Sequence, residues 1–414
     1  MNKKKPTIIL DIFLPVDACN GTRSGIFSAT IGIAKELLKS PDFNFIIYAK
    51  PTHYYSFIET FQSITPQDKQ FKILCESRVL AAFNYCKYNK TLFNKFLFIL
   101  LFPIAILEKA RITLFPQKYK AEGYFSTYHF PPCNIANEDN IKKFLFLHDC
   151  AMAIGVYKKT PSSYFKEKIF NKLRKDFFYF TNSEYTRQDF IKHNENVNNE
   201  NSQVVYLGIS ENFSIKKEGI NNIKEKYKIP KNKKYILTLC TLEPRKNLIR
   251  MVSTFIDFVK KNEINDLVFV LAGGQWKDFE NEFIKDTNKL VDYNKYIQRI
   301  GYVDDSDLPI LYSNAEWFVY TSQYEGFGIP PLEAMACGCP VITSNATSLP
   351  EVVGDAGIMI NYEDDNAHIN AYETYYFNNE IKELNAKKGL ERVKQFSYEK
   401  TANLITKKFK EICN

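Results

Sequence analysis

Four side chains in this 414-residue chain have the types and spacing to grip one polar ligand at several points: Arg245, Lys246, Glu325 and Glu333. The cations are neighbours in TLEPRKNL, residues 241–248, directly after an apolar run that reads as a buried strand. At the start of the next helix, where free N–H groups and the dipole already favour anions, they form a diphosphate clamp. Without an anion they are electrostatically misplaced there unless a partner such as Glu243 neutralises them.

The glutamates flank Gly326, Gly328, Pro330 and Pro331 in QYEGFGIPPLEAMACG, residues 323–338. Such a pair could be catalytic, a binding clamp, or ordinary acids beside a helix. Proline is preorganised for a first helical turn, so Glu325 falls on the loop and Glu333 in the first turn, with Gly338 as the C-terminal cap. Loop reach and helix rise put the two roughly 10–15 Å apart, beyond the roughly 5–10 Å of paired glycosidase carboxylates. That spacing suits one polyhydroxylated ligand held at both ends, because a carboxylate accepts hydrogen bonds from a vicinal diol. Gly326 and Gly328 let backbone N–H groups approach an anion closely. Taken alone, Glu333 also reads as an acid complementing the helix dipole, and Glu325 as a solvated loop acid.

Elements must hold these residues in place, and the pattern supplies them. Short runs rich in Ile, Val, Phe and Tyr alternate with amphipathic stretches, the signature of β-α units with parallel sheets. TIILDIF, FNFIIYAK, GYFSTYHF, KFLFLHD, FFYFTNS and VVYLG form an N-terminal set; YILTLC, LVFVLAGG, YIQRIGYV, WFVYTS, PVITS and GIMIN form a C-terminal set. The lysine-rich stretch 209–234 between them reads as a linker region. Two doubly wound domains facing a cleft follow, with ligands expected beyond the carboxyl ends of the strands. Gly21, Ser24 and Gly25 mark such a junction in the first domain, before a helix ending near Ser40.

Composition agrees with a globular chain of two domains, with 45% hydrophobic and 25% charged residues. Nine cysteines without a C-x-x-C pair suggest neither a disulfide framework nor a zinc site, and fit a reducing cytoplasm. MNKKKPTIILDIFL reads as a first buried strand rather than a signal peptide, since Asp11 interrupts it and no small-residue cleavage site follows. The loop acids Asp304–Asp305 and Asp364–Asp365 read as solvated, so no metal is expected.

Of the net charge of +8, all comes from residues 1–120, with 17 Lys+Arg against 8 Asp+Glu; the remainder has 38 against 39. Inside that region Phe96–Leu107 is almost wholly apolar. As a helix it spans only about 18 Å, short of the roughly 30 Å hydrocarbon layer. It is either a core helix kinked by Pro103 or a segment entering one leaflet. Arg78, Lys87, Lys90, Lys95, Lys109, Arg111, Lys118 and Lys120 would then lie beside anionic lipid. Nucleic acid is not expected, because no recognition motif accompanies the charge.

EGFGIPPLE, with its E-x7-E spacing, resembles the retaining nucleotide-sugar glycosyltransferases of the GT-B fold, specifically glycosyltransferase family 4. So do TLEPRKNL, GYVDDSDLPILYSNAEWFVYTS, EAMACGCPVITSNATSLPEVVGDAGI and FSYEKTANLITKKF. The likeness is dense over about 234–361 and sparse before, limited to LHDC, TNSEYTRQDF and VVYLGI. It implies an α/β GT-B fold of three parts. Residues 1–210 would be a Rossmann-like acceptor-binding domain with a membrane-associated segment near 92–111. Residues 211–392 would bind the nucleotide sugar, and 393–414 would form a helix crossing back to the N-terminal domain.

Arg245 and Lys246 would bind the diphosphate and neutralise the leaving group. Glu325 would lie by the sugar and Glu333 would hold the ribose hydroxyls. Gly25, Gly326, Phe327, Gly328, Ile329 and Leu332 would complete the donor site. His148 matches the family's histidine near the sugar, although a lone histidine at a strand end reads equally as structural. Three positions depart from the family pattern: Cys240 replaces a common glycine, TRSGIFS has one glycine where two are frequent, and Tyr398 replaces a tryptophan.

The implied activity is metal-independent, retaining hexosyl transfer without a cofactor, with mannose from GDP-mannose the first donor. The acceptor would be a glycan such as an O-antigen or capsule precursor on a lipid diphosphate, at the cytoplasmic face of the inner membrane. The rival readings are a soluble GT-B enzyme acting on a small acceptor or on the nucleotide sugar, and a noncatalytic glycan-binding subunit with a relict site. Oligomeric state is not legible.

Overall fold

The structure, a computed structural model, describes residues 5–12, 25–49, 72–75, 99, 102–103, 120–127, 131, 133–151, 170–241, 243–274 and 290–413. Most of the apolar run 96–107, all of its flanking cations except Lys120, and Gly21 and Ser24 lie outside these residues.

The first sheet contains β1 (Thr7–Asp11), β2 (Asn44–Ala49), β3 (Lys72–Cys75), β4 (Gly123–Ser126), β5 (Lys142–Leu147), β6 (Phe177–Thr181) and β7 (Ser202–Val204), in the spatial order β3-β2-β1-β4-β5-β6-β7. The second contains β8 (Lys234–Leu239), β9 (Leu267–Ala272), β10 (Ile297–Gly301), β11 (Phe318–Tyr320), β12 (Val341–Ser344) and β13 (Gly357–Ile360), in the order β10-β9-β8-β11-β12-β13. Every recorded pairing is parallel. β1, β6 and β9 are buried along their whole length, which explains their continuous apolar runs. Strand order reverses between β1 and β4 and again between β8 and β11. Crevices for ligands open at the carboxyl ends of strands at such reversals.

Helices cover the sheets. Those bounded among the described residues are α1 (Gly25–Lys39), α2 (Cys133–Ala136), α3 (Glu184–His193), α4 (Ile220–Lys226), α5 (Leu248–Lys261), α6 (Leu290–Tyr296), α7 (Leu308–Asn314), α8 (Ile329–Ala336), α9 (Leu349–Val353), α10 (Asp365–Phe377), α11 (Asn379–Val393) and α12 (Tyr398–Cys413). In α1 the buried Ala29, Thr30, Ile33, Ala34, Leu37 and Leu38 form one stripe at helical spacing.

The chain's last helix, α12, returns to the first sheet. Phe409 is fully buried there, with ring centroids 4.6 Å from Phe144, 5.5 Å from Phe125, 5.7 Å from Phe43 and 6.3 Å from Phe180. Tyr398 lies over Gly32, where any Cβ would collide with its ring. Lys410 pairs with Asp42 at 2.6 Å.

Two expectations are corrected. VVYLG belongs to the last strand of the first sheet only at its start: β7 is Ser202–Val204, the Val205 N–H still donates to the Thr181 carbonyl at 2.8 Å, and Val205 and Leu207 are buried. Gly208 then meets the backbone of Ser397 and Tyr398 so closely that a Cβ would clash, so the rest of this run joins α12. The stretch 209–234 is no featureless linker. It forms α4 because Ile220, Ile223 and Tyr227 share a helical face and pack on the core. β3 went unread in the sequence.

Phe409→Ala should destabilise the protein by about 3–5 kcal/mol, the usual cost of emptying a buried aromatic site. Guanidinium unfolding checks this; a loss below about 1 kcal/mol would mean that α12 does not depend on this anchor.

Candidate functional site

The loops following β8 and β11, at the second reversal of strand order, carry the site. After β8, Pro244–Lys246 forms one 3-10 turn and Asn247 adopts φ 58°, a left-handed conformation asparagine tolerates. Asn247 is fixed by its Nδ2 donating to the Tyr362 carbonyl at 2.8 Å. α5 begins only at Leu248, so Arg245 and Lys246 precede the helix rather than standing in its first turn. That turn points the Arg245 carbonyl at the loop after β11, where it accepts from the Gln323 N–H at 2.7 Å and the Ser322 hydroxyl at 3.0 Å.

This stitching brings the charges together. Lys246 Nζ lies 2.6 Å from Glu325 Oε1, and Arg245 Nη1 lies 3.1 Å from Oε2. Lys246 also donates to the Tyr320 hydroxyl at 2.7 Å. Arg245 donates from Nε to Glu243 Oε2 at 2.7 Å and from Nη1 to the Tyr324 carbonyl at 2.8 Å. Lys246 and Glu325 are 7% and 8% exposed. Burial alone would raise the Glu325 carboxyl, but Lys246 and then Arg245 more than offset it and hold it below the usual range. The cations thus arrive neutralised by Glu325 and Glu243.

Glu325 leads into α8 through Gly326, Phe327 and Gly328. Gly328 has φ 119°, and a Cβ there would come 2.7 Å from Leu349 Cδ2. This left-handed entry starts α8 at Ile329, ahead of both prolines. Glu333 is therefore the fifth helical residue and not in the first turn, which removes the simple dipole reading. It is partly exposed, accepts from the Tyr312 hydroxyl at 3.0 Å, and is pushed up to about 8 by burial. Ser348 braces the loop, its hydroxyl 2.9 Å from the Glu325 carbonyl and 2.8 Å from that of Phe327.

The N-terminal half closes the other side. A Cβ on Gly326 would collide with the His148 carbonyl oxygen, so glycine is required for the halves to meet. The Gly326 carbonyl accepts from Ser183 Oγ at 2.7 Å and Thr186 Oγ1 at 3.0 Å. His148 donates from Nε2 to the Thr127 carbonyl at 2.7 Å, which makes Nδ1 the acceptor nitrogen. Burial lowers its pKa to about 4, so the ring is neutral.

Between the halves lies a cleft of about 2060 Å³. Its walls include Gly25, His148, Arg245, Lys246, Glu325, Gly326, Phe327, Gly328, Ile329 and Glu333. Leu332 is the exception: it is fully buried and does not line the cleft, so its assignment as a ligand contact is corrected to core support for α8. Cys240 forms part of the floor, as its place at the end of β8 requires.

Sequence reasoning missed Asp149 and Tyr320. Asp149 follows His148 on the wall; burial raises its carboxyl, with Arg245 the main opposing influence. Its signal was its place at a strand end. Tyr320 gave none, since a strand tyrosine reads as core.

Among the described residues, no group of three or more His, Cys, Asp or Glu side chains is arranged to hold a metal. Asp304 and Asp307 pair with Lys226 at 2.7 and 2.6 Å, Asp364 caps α10, and Asp365 pairs with Arg250 at 2.8 Å.

Residues 219–392 match the family described as Glycosyl transferases group 1. O-antigen chain mannosyltransferase B of Escherichia coli is 39% identical over 166 residues, 40% of this chain and 42% of that protein. O-antigen chain mannosyltransferase RfbU of Salmonella typhimurium is 29% identical over 185 residues, 44% of this chain and 46% of that protein. The matches thus span less than half the length of these relatives. The crystal structure of Anabaena Alr3699/HepE in complex with UDP and glucose aligns over 98% of this chain and 100% of that one, with TM-score 0.71 at 16% identity. WaaG, a glycosyltransferase involved in lipopolysaccharide biosynthesis, aligns over 97% and 99% with TM-score 0.63 at 14% identity. These likenesses show the GT-B fold.

The raised Glu333 carboxyl makes a pH prediction. Between its ordinary value of 4.5 and about 8, the folded protein holds a proton that the unfolded chain has released, so Glu333's contribution is largest below 4.5 and is lost as pH rises through 8. Glu333→Gln should therefore melt progressively higher than the parent as pH goes from 5 to 8.5. A pH-independent difference between their melting curves would contradict this.

Proposed function

We propose that this chain, whose residues 219–392 match the family described as Glycosyl transferases group 1, is a retaining hexosyltransferase. It moves a sugar, with mannose from GDP-mannose the first choice, from a nucleotide sugar to a hydroxyl of a surface glycan such as an O-antigen or capsule precursor on a lipid diphosphate. The observation that carries this reading is the buried cluster of Arg245, Lys246 and Glu325 on the cleft wall, with Glu333 farther along α8 and His148 facing it. The names of the two O-antigen relatives favour mannose and a surface glycan.

In this mechanism the donor diphosphate takes up the fixed cations, and Arg245 exchanges or shares its carboxylate partners with phosphate oxygens. The bond between the sugar's anomeric carbon and phosphate oxygen breaks, its electron pair leaving with the diphosphate. Arg245 and Lys246 stabilise that developing charge from positions set before reaction, so little reorganisation is needed. The acceptor oxygen bonds the anomeric carbon on the face the phosphate leaves, its proton passes to a phosphate oxygen, and configuration is retained. Glu325, already ionised and held by both cations, accepts from a sugar hydroxyl. Neutral His148 offers its imidazole to the sugar, and the carboxyl oxygen of Glu333 accepts from the ribose diol.

The concentrated N-terminal charge supports placing the chain on the cytoplasmic face of an anionic membrane. Among the described residues no helix is long and apolar enough to cross one.

Incubation with a panel of nucleotide sugars and a lipid-linked glycan acceptor should release nucleotide from GDP-mannose. Arg245→Gln and Lys246→Gln should lower kcat/KM by about 100- to 1000-fold, the usual effect of removing a donor to developing negative charge. Turnover of a different donor alone would overturn the mannose assignment. Turnover of none, by a protein with an intact melting transition, would overturn the enzymatic reading.

A further inference from the structure

A second polar contact joins the two halves outside the cleft. Tyr324, the residue before Glu325, donates its hydroxyl to Asp189 Oδ2 on α3 at 2.7 Å. Cys150, in the loop after β5, donates to the same oxygen at 3.2 Å and lies 3.5 Å from the Tyr324 hydroxyl. Nearby, Glu351 of α9 accepts from the first two backbone N–H groups of α3, at 2.7 Å from Glu184 and 2.8 Å from Tyr185. α3 thus faces the C-terminal half with the N–H groups of Glu184 and Tyr185, with Thr186 and with Asp189.

Asp189, Cys150 and Tyr324 do not line the cleft, so none touches a ligand there. Tyr324 is nevertheless tied to the charge cluster through its own backbone: its carbonyl takes the Arg245 Nη1 hydrogen bond, and its peptide leads directly to Glu325. The Asp189 side chain is 11% exposed and Tyr324 is 5% exposed. Groups so buried must satisfy one another when the halves are together, whereas water satisfies both when the halves part. The Tyr324 hydroxyl is thus held from the N-terminal half while its carbonyl holds Arg245 within the C-terminal half.

We propose that Asp189 is a positioning residue that, by holding the Tyr324 hydroxyl, couples closure of the two halves to the placement of Arg245 and Glu325. The coupling rests on the glycosyltransferase reading of the cleft. Arg245 and Glu325 belong to the C-terminal half, so the nucleotide binds there whether or not the halves are latched. The bond-breaking step needs both cations in place against the sugar facing His148. Loss of the latch slows turnover and spares nucleotide affinity.

Tyr324→Phe and Asp189→Ala test this, with Asp189→Asn as the conservative variant, because its amide oxygen still accepts the Tyr324 hydroxyl. Both disrupting variants should lower kcat at least about tenfold, what a hydrogen bond to a charged group is worth. GDP affinity should change less than about twofold, and Asp189→Asn should keep most of the turnover. Cys150 supplies a readout free of activity, since it is 1% exposed at the contact. Its alkylation by iodoacetamide, followed by mass spectrometry, should be equally slow in the parent with and without GDP, and clearly faster in Tyr324→Phe.

Unchanged kcat and unchanged Cys150 alkylation in Tyr324→Phe would overturn the proposal. Parallel losses of kcat, GDP affinity and melting temperature would do so as well, by reducing Asp189 to a structural residue. If the parent itself turned over no nucleotide sugar, the functional reading would fall. The Cys150 rates in the parent and in Tyr324→Phe would still decide whether the contact is a latch.

Discussion

The structure depends on a buried ion pair between Lys246 and Glu325, widened into a cluster by Arg245 and Glu243. Charges this deeply buried carry a desolvation cost of several kcal/mol each. They persist because each side chain is held by several partners: Lys246 by Glu325 and Tyr320, Arg245 by Glu243, Glu325 and a carbonyl. Hydrophobic residues of similar size would hold these two loops together at least as well. A ligand that needs fixed positive charge gives the cluster a use that stability alone does not, which is why the proposed diphosphate clamp is the economical account of it.

The cluster sets requirements elsewhere in the chain. Loops after β8 and β11 must meet, so those strands are neighbours where strand order reverses. Gly326 must lack a side chain for the first half to approach, and Gly328 must be left-handed for α8 to begin at Ile329. α12 returns to the first sheet and buries Phe409 there. The result is a cleft with cationic groups on one wall and the neutral His148 on the other.

Much of this was legible in the sequence, for identifiable reasons. The inner strands of the second sheet follow from uninterrupted apolar runs bounded by turn residues, because strands buried on both faces leave little room for alternatives; the edge strands β10 and β13 are only partly buried. The first sheet was less plain: β3 is only four residues, and VVYLG has strand composition but serves the junction with α12. Arg245 and Lys246 could be paired with Glu325 in function but not in contact, since the left-handed Asn247 that turns their loop leaves no mark in the hydrophobic pattern. Leu332 was misplaced for a related reason. One extra residue at the start of α8 decides which side chains face the cleft, and that residue depends on Gly328. Tyr324 and Asp189 were invisible as partners because their contact spans 135 positions and joins the halves built on different sheets.

A crystal structure of the protein with GDP tests the account most directly. The diphosphate oxygens are expected within roughly 2.7–3.2 Å of Arg245 and Lys246 nitrogens, with Glu333 accepting from the ribose hydroxyls. A diphosphate bound elsewhere in the cleft, with the ion pairs to Glu325 undisturbed, would contradict it.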